Sequence, residues 1–282
     1  GRPGGTERAP WILRQLGLRA AVQPRQDLND LAVRIDGEER DPESGVKGAP
    51  SVAAMTREVR RVIEHIVRAG DRPLIVGGCC SCVMGAVAGV RDAMGRSGLV
   101  YVDGHLDLYD GNTSPTGECA DMPLAFMLGR GPALLDEPMG ARQPIEVGDV
   151  SLLGYRDRHL AEPAGSLLPE DLGPDFHHRD VDAIRAIGME AAAEEAVARQ
   201  GDRAGRFWLH LDWDVLDRAT LPSADYLMPN GLSWDELISL VRPLVRSPRM
   251  IGMSLACYNP DNDPDLTDGR RVVDAMAQFF AR

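Results

Sequence analysis

The sequence predicts an α/β protein organised on a parallel sheet with crossover helices, and three observations carry that expectation. Apolar runs of strand length alternate with longer segments of helical periodicity, the chain order of a βαβ protein. Two of the strand-length runs end in clustered acidic residues, at the kind of strand end where open α/β sheets bind ligands. No linker rich in Pro, Gly or Ser divides the 282 residues, so one domain is expected over 1–282.

Pro10–Leu18 is the first clear element and reads as a helix. A sheet of this class ordinarily opens on a strand, so either a strand lies upstream of Gly1 or the fold begins irregularly. Ser51–Ala69 follows as a helix with Val59, Val62, Ile63 and Ile66 on one face. Arg72–Gly78 reads as a strand ending in glycines, Ser81–Met94 as a helix and Gly98–Asp103 as the next strand. Val150–Gly154, Phe207–Asp212 and Met250–Leu255 read as further buried strands, with helices over Val181–Arg199, Ser233–Val245 and Arg270–Phe280. Residues 156–180 and 258–269 gather Pro, Asp and Gly and read as loops.

The composition excludes several classes. A net charge of −12 opposes binding to nucleic acid or to an anionic membrane. No run of eighteen apolar residues exists to span a bilayer, and the N-terminus has no apolar signal-peptide core. Five cysteines, three of them within Cys79–Cys82, do not make a disulfide framework in a chain of this size, so a reducing cytoplasm is the expected compartment.

The chemistry concentrates at two strand ends. Asp103, His105 and Asp107 occur at alternate positions directly after a strand, and point the same way if the backbone stays extended. Asp212 and Asp214 repeat the pattern after Phe207–Asp212. Such groups converging without a cation would repel one another, and a divalent metal removes the objection. The bland alternative, solvated loop starts with N-capping aspartates, has to hold twice over. Oxygen ligands with one imidazole suit Mn2+ before Fe2+, Zn2+ or Ni2+.

These motifs carry a resemblance. Asp103-Gly-His-Leu-Asp107 resembles the Asp-Ala-His-x-Asp motif of the arginase/agmatinase (ureohydrolase) superfamily, and Asp212-Trp-Asp-Val-Leu-Asp217 resembles its Asp-x-Asp-x-x-Asp. Gly77-Gly-Cys-Cys-Ser81 sits where the family carries Gly-Gly-Asp-His-Ser, Gly4–Leu18 resembles its N-terminal segment, and Gly231–Glu236 its Gly-Leu-Ser/Thr-x-x-Glu. The resemblance implies a three-layer α/β/α sandwich on a mainly parallel eight-stranded sheet. It also implies hydrolysis of guanidino-type C–N bonds by a metal-activated hydroxide at a two-manganese centre. Asp103 and Asp212 would bridge two metals, His105 and Asp214 would complete one site, and Asp107 would help complete the other while hydrogen-bonding the hydroxide. Glu236 would hold the guanidino group, and Arg156-Asp157 matches a structural pair. Family members form homo-oligomers, which is expected here too.

Departures from the pattern shape the expected substrate. Cys80 replaces the histidine that binds the first metal and Cys79 the neighbouring aspartate; a thiolate favours softer ions than manganese, so one or two ions, with Zn2+ or Fe2+ as alternatives, are expected. Cys79 and Cys82 read as packing residues. In Thr116–Pro123, which resembles the family's Ser-Gly-Asn-x-His-Gly-x-Pro loop, Ala120 stands for a proton-shuttling histidine and Glu118 for a carboxylate-binding asparagine. An anionic Glu118 repels a carboxylate and attracts a cation. Tyr109 and His159 replace a polar and an acidic residue that bind the amino-acid end of arginine. The expected activity is therefore hydrolysis of a small guanidino, N-hydroxyguanidino or amidine molecule rather than of arginine.

Two other classes compete. One is a metal-binding pseudoenzyme acting through a partner; the other is amidino-group chemistry at a Cys80 thiolate paired with His105. The remaining histidines, His65, His177, His178 and His210, read as solvated or packed, and Trp213 as a packing residue.

Overall fold

The computed structural model describes residues 4–281. Six strands form one parallel sheet: β1 (Leu74–Val76), β2 (Gly98–Val102), β3 (Val150–Leu153), β4 (His177–Arg179), β5 (Phe207–Asp212) and β6 (Met250–Ala256). Their spatial order is β1-β6-β5-β2-β3-β4. The α/β class is as predicted, although the described residues hold six strands where eight were implied. Residues 23–48 form one isolated antiparallel bridge, Arg40 to Lys47, and reach the core through Val33 and Ile35 without joining the sheet.

Side-chain alternation makes the layers. Leu99 and Tyr101 of β2 enter a core shared with the helices Ala49–Arg68 and Cys82–Met94. Val100 and Val102 enter the opposite core, with the helices Met189–Arg203, Trp234–Arg246 and Thr267–Phe280.

Two sequence expectations are corrected. The helix expected over Val181–Arg199 is two helices, Val181–Ile187 and Met189–Arg203, broken at Gly188 with φ 94 and ψ 146, a conformation open to glycine without strain. The loop expected over 156–180 contains the helix Arg158–Ala161 and the strand β4. This strand is a three-residue edge of sequence His-His-Arg, paired to β3 alone, so no apolar pattern announces it.

The register positions the site. Val102 pairs with Leu211, Asp212 with Ala256, and Val76 with Leu255. The segments that leave β1, β2, β5 and β6 therefore emerge side by side at one edge of the sheet.

Candidate metal centre

The turn after β1 is tied to the end of β6: Gly77 N–H donates to Leu255 O at 2.9 Å, and Cys257 N–H to Gly78 O at 2.8 Å. Cys80 is thereby carried over the ends of β5 and β2. Its Sγ lies 2.6 Å from Asp212 Oδ2, 3.7 Å from Asp103 Oδ2 and 3.9 Å from Cys257 Sγ. On the other side of Asp103, His105 Nδ1 lies 3.1 Å from Asp214 Oδ2 and 3.6 Å from Asp103 Oδ1.

Each acidic motif shapes its own turn. His105 N–H donates to Asp103 Oδ1 and Asp214 N–H to Asp212 Oδ1, both at 2.7 Å, so the leading aspartate folds the chain back onto itself at the strand end. Gly104 N–H donates to Asp214 Oδ1 at 3.2 Å and joins the two motifs. A Cβ at Gly104 would overlap Arg156 Nη1 and stand 2.7 Å from Asp214 O, so the close approach requires glycine. Arg156 donates to the carbonyls of Asp214, Leu216 and Pro229, and Asp157 accepts Leu106 N–H at 3.1 Å.

Without a cation the cluster is electrostatically unfavourable. Burial, reinforced by Asp214, pushes the Asp103 carboxyl up to about 7. Burial and neighbouring carboxylates raise Asp107 and Asp212 well above the ordinary range. Burial alone would lower His105, but Asp214 and Asp103 raise it well above its usual value. Burial, Cys257 and Asp212 push the Cys80 thiol up. A divalent cation would offset the repulsion among these groups. Three sets each bring one donor atom per residue within 4.8 Å of the others: Cys80, Asp103, His210 and Asp212; Asp103, His105 and Asp214; and Asp212, Asp214 and Cys257. This donor set fits metal.

Five of the six expected ligands, Cys80, Asp103, His105, Asp212 and Asp214, are thus brought together. Asp107 stands at the margin, in none of the three sets, because the chain turns out of extension there: its φ is 51, and its Oδ2 accepts from Tyr101 OH at 2.5 Å. Beside the cluster opens a cavity of about 370 Å3, lined among others by Cys79, Glu118, Asp225, Tyr226, Cys257 and Asn259. Glu118 accepts from Tyr226 OH at 2.5 Å and lies 3.7 Å from Lys47 Nζ.

Three expected substrate contacts fall elsewhere. Glu236 joins neither cluster nor cavity: it is the third residue of the helix Trp234–Arg246, capping Ser233 N–H and paired to Arg185 at 2.8 Å. Its carboxyl is held down at about 2, chiefly by Arg185. Tyr109 is buried, its N–H on Asp121 O, and His159 is exposed on Arg158–Ala161; neither lines the cavity. His177 and His178 sit in β4, where His178 Nδ1 meets Tyr155 OH at 2.8 Å, outside every donor set among the described residues. Trp213 packs on Phe279 and Trp234.

Cys257, His210 and Tyr226 are the site residues that sequence reasoning missed. His210 had a usable signal, since a residue two before Asp212 on one strand faces the same way. Cys257 follows a strand without an acidic ending and carried none.

The arginase-family model matches residues 2–280 of the chain. This chain belongs to the arginase family. An arginase of Bacillus caldovelox is 29% identical over 281 residues, covering 98% of this chain and 92% of that one. The structure of Bacillus caldovelox arginase superposes with a TM-score of 0.85 at 24% identity, covering 99% of this chain and 93% of the other. Formimidoylglutamase from Bacillus subtilis superposes with a TM-score of 0.68 at 20% identity, over 97% and 79% of the two chains. This arginase-family chain is a hydrolase of the ureohydrolase type, with a metal-ligand cluster at its strand ends. No helix among its described residues is long and apolar enough to cross a membrane.

Proposed function

We propose that the chain is a metal-dependent hydrolase that cleaves a C–N bond in a small guanidino, N-hydroxyguanidino or amidine substrate other than arginine. The observation that carries this reading is the convergence of Cys80, Asp103, His105, Asp212 and Asp214 beside a cavity with an acidic lining. Asp103, His105 and Asp214 would hold one ion, and Cys80, Asp103 and Asp212 a second. Manganese suits the oxygen and imidazole donors, while the thiol favours zinc or iron(II). A bound metal supplies water acidic enough to attack a guanidino carbon near neutral pH.

The chain's own groups supply the rest. Asp107, anchored by Tyr101, is the carboxyl assigned to accept a proton at the margin of the cluster. Glu118 gives the cavity a negative pole that repels a substrate carboxylate, and a cationic substrate would compete there with Lys47. A cavity of about 370 Å3 suits a molecule of this size. A Cys80 nucleophile is disfavoured, since its thiol faces the Asp212 carboxylate while His105 engages Asp214. The five free thiols accord with a reducing cytoplasm, and a homo-oligomer belongs to the same proposal.

The test is a screen of guanidines, N-hydroxyguanidines and amidines against metal-loaded protein, with arginine as comparator. Turnover of at least one non-arginine substrate, lost in Asp214→Ala, is the expected result. No product from any compound contradicts the reading and leaves the pseudoenzyme.

A further inference from the structure

His210 is buried completely in β5, two residues before Asp212, and its Nε2 has no hydrogen-bond partner. A buried imidazole nitrogen left unpaired is costly and calls for an explanation. The ring is not free to turn toward another partner. Its Nδ1 is held at 2.7 Å by Ser254 Oγ, which also accepts from Trp208 Nε1 at 3.0 Å, and the Tyr101 ring lies 4.5 Å from the imidazole centroid. An outer partner on one nitrogen is what fixes a metal-binding histidine and leaves the other for the ion. The ring offers a nitrogen within 4.8 Å of donor atoms from Cys80, Asp103 and Asp212.

We propose that His210 is a ligand, with Cys80, Asp103 and Asp212, of a mixed half-site that takes zinc in preference to manganese. The inference rests on the metal-dependent reading above and assigns the second ion its full donor set. Four protein donors comprising one thiolate, one imidazole and two carboxylates match a four-coordinate zinc site. Octahedral manganese gains nothing from a thiolate and is disfavoured by so closed a set. The imidazole absent at position 80 is thereby supplied from the strand below. The unpaired nitrogen, the Ser254 anchor and the Cys80 thiol then serve one ion.

The test is zinc-edge X-ray absorption on the full chain loaded with one equivalent of zinc, together with zinc affinity by competition against a chelator. Wild type should show one sulfur and an imidazole around zinc, and His105→Asn should keep both, because His105 belongs to the other half of the centre. His210→Asn should lose the imidazole contribution and weaken zinc binding by at least about 100-fold, the upper end of the loss seen for an outer partner. Ser254→Ala leaves the donors in place and should weaken it about 10- to 100-fold. Should His210→Asn not fold, the His105→Asn spectrum decides. An imidazole lost in His105→Asn and retained in His210→Asn overturns the assignment but leaves the hydrolase standing. Failure of the wild type to bind either zinc or manganese overturns both.

Discussion

Cys80 Sγ and Asp212 Oδ2 stand 2.6 Å apart, and both residues are buried. Two anions at that separation repel strongly even at an effective dielectric of about 20. Only a proton or a cation keeps them there. Metal binding should therefore stabilise the fold, by about 4 kcal/mol at a thousandfold excess of free ion over Kd. Calorimetry before and after chelation should show a Tm lower by about 10 °C in the stripped protein. Equal melting temperatures would contradict the metal centre.

Changing Cys80 to His should move metal preference rather than abolish binding. Imidazole suits manganese where thiolate suits softer ions, so Cys80→His should raise the manganese-to-zinc ratio at equal supply by at least about 10-fold. Metal analysis after dialysis against both ions reads the ratio directly; an unchanged ratio would mean that Cys80 is not a ligand.

Glu236 separates a stabilising role from a catalytic one. Its pairing with Arg185 and its capping of Ser233 predict that Glu236→Gln loses about 1 kcal/mol of stability and keeps kcat. The carboxyl is held down from 4.5 to about 2, so its stabilising contribution is present above the ordinary carboxylate range and disappears as pH falls toward 2. The stability gap between wild type and variant, measured by denaturant titration, should accordingly close with acid. A loss of kcat without loss of stability would restore Glu236 to the active site.

Glu118 should act on binding more than on turnover. Glu118→Gln removes the negative pole of the cavity and frees Lys47, and should raise KM for a cationic substrate about 10-fold while leaving kcat within about twofold. Steady-state kinetics on whichever substrate the screen yields makes the test, and a rise in kcat/KM would reverse the assigned polarity.

Much of this architecture was legible in the sequence because burial writes it in apolar runs. β2, β5 and β6 are wholly buried and lie where the runs place them. β4 escaped because an edge strand of His-His-Arg has no apolar face to display. The break at Gly188 escaped because the helical residues on both sides read as one segment. In the site, Asp103, His105, Asp212 and Asp214 were picked out by their clustering after strands, but turns rather than extension bring them together: Asp103 and Asp212 accept the N–H groups of His105 and Asp214, and Asp214 lies in the 3-10 turn Trp213–Val215. Cys257 depends on β6 lying beside β5, a relation between distant segments that no local pattern encodes. Asp107 lies in none of the three donor sets for a local reason: extension was expected past Asp103, and the chain instead turns into a left-handed conformation. Glu236 stands in a capping box, and a capping glutamate after Gly-Leu-Ser is written in the same letters as a binding glutamate.

The central claim is that a buried thiol, a partly buried imidazole and buried carboxylates at the ends of β1, β2 and β5 form a metal centre. Metal content by plasma mass spectrometry tests it most directly, on protein purified without added metal and again after loading and desalting, beside Asp212→Ala. The account predicts about two ions per chain in the loaded wild type, one in each half of the centre, and loss of at least one in the variant. No retained metal after loading would contradict it.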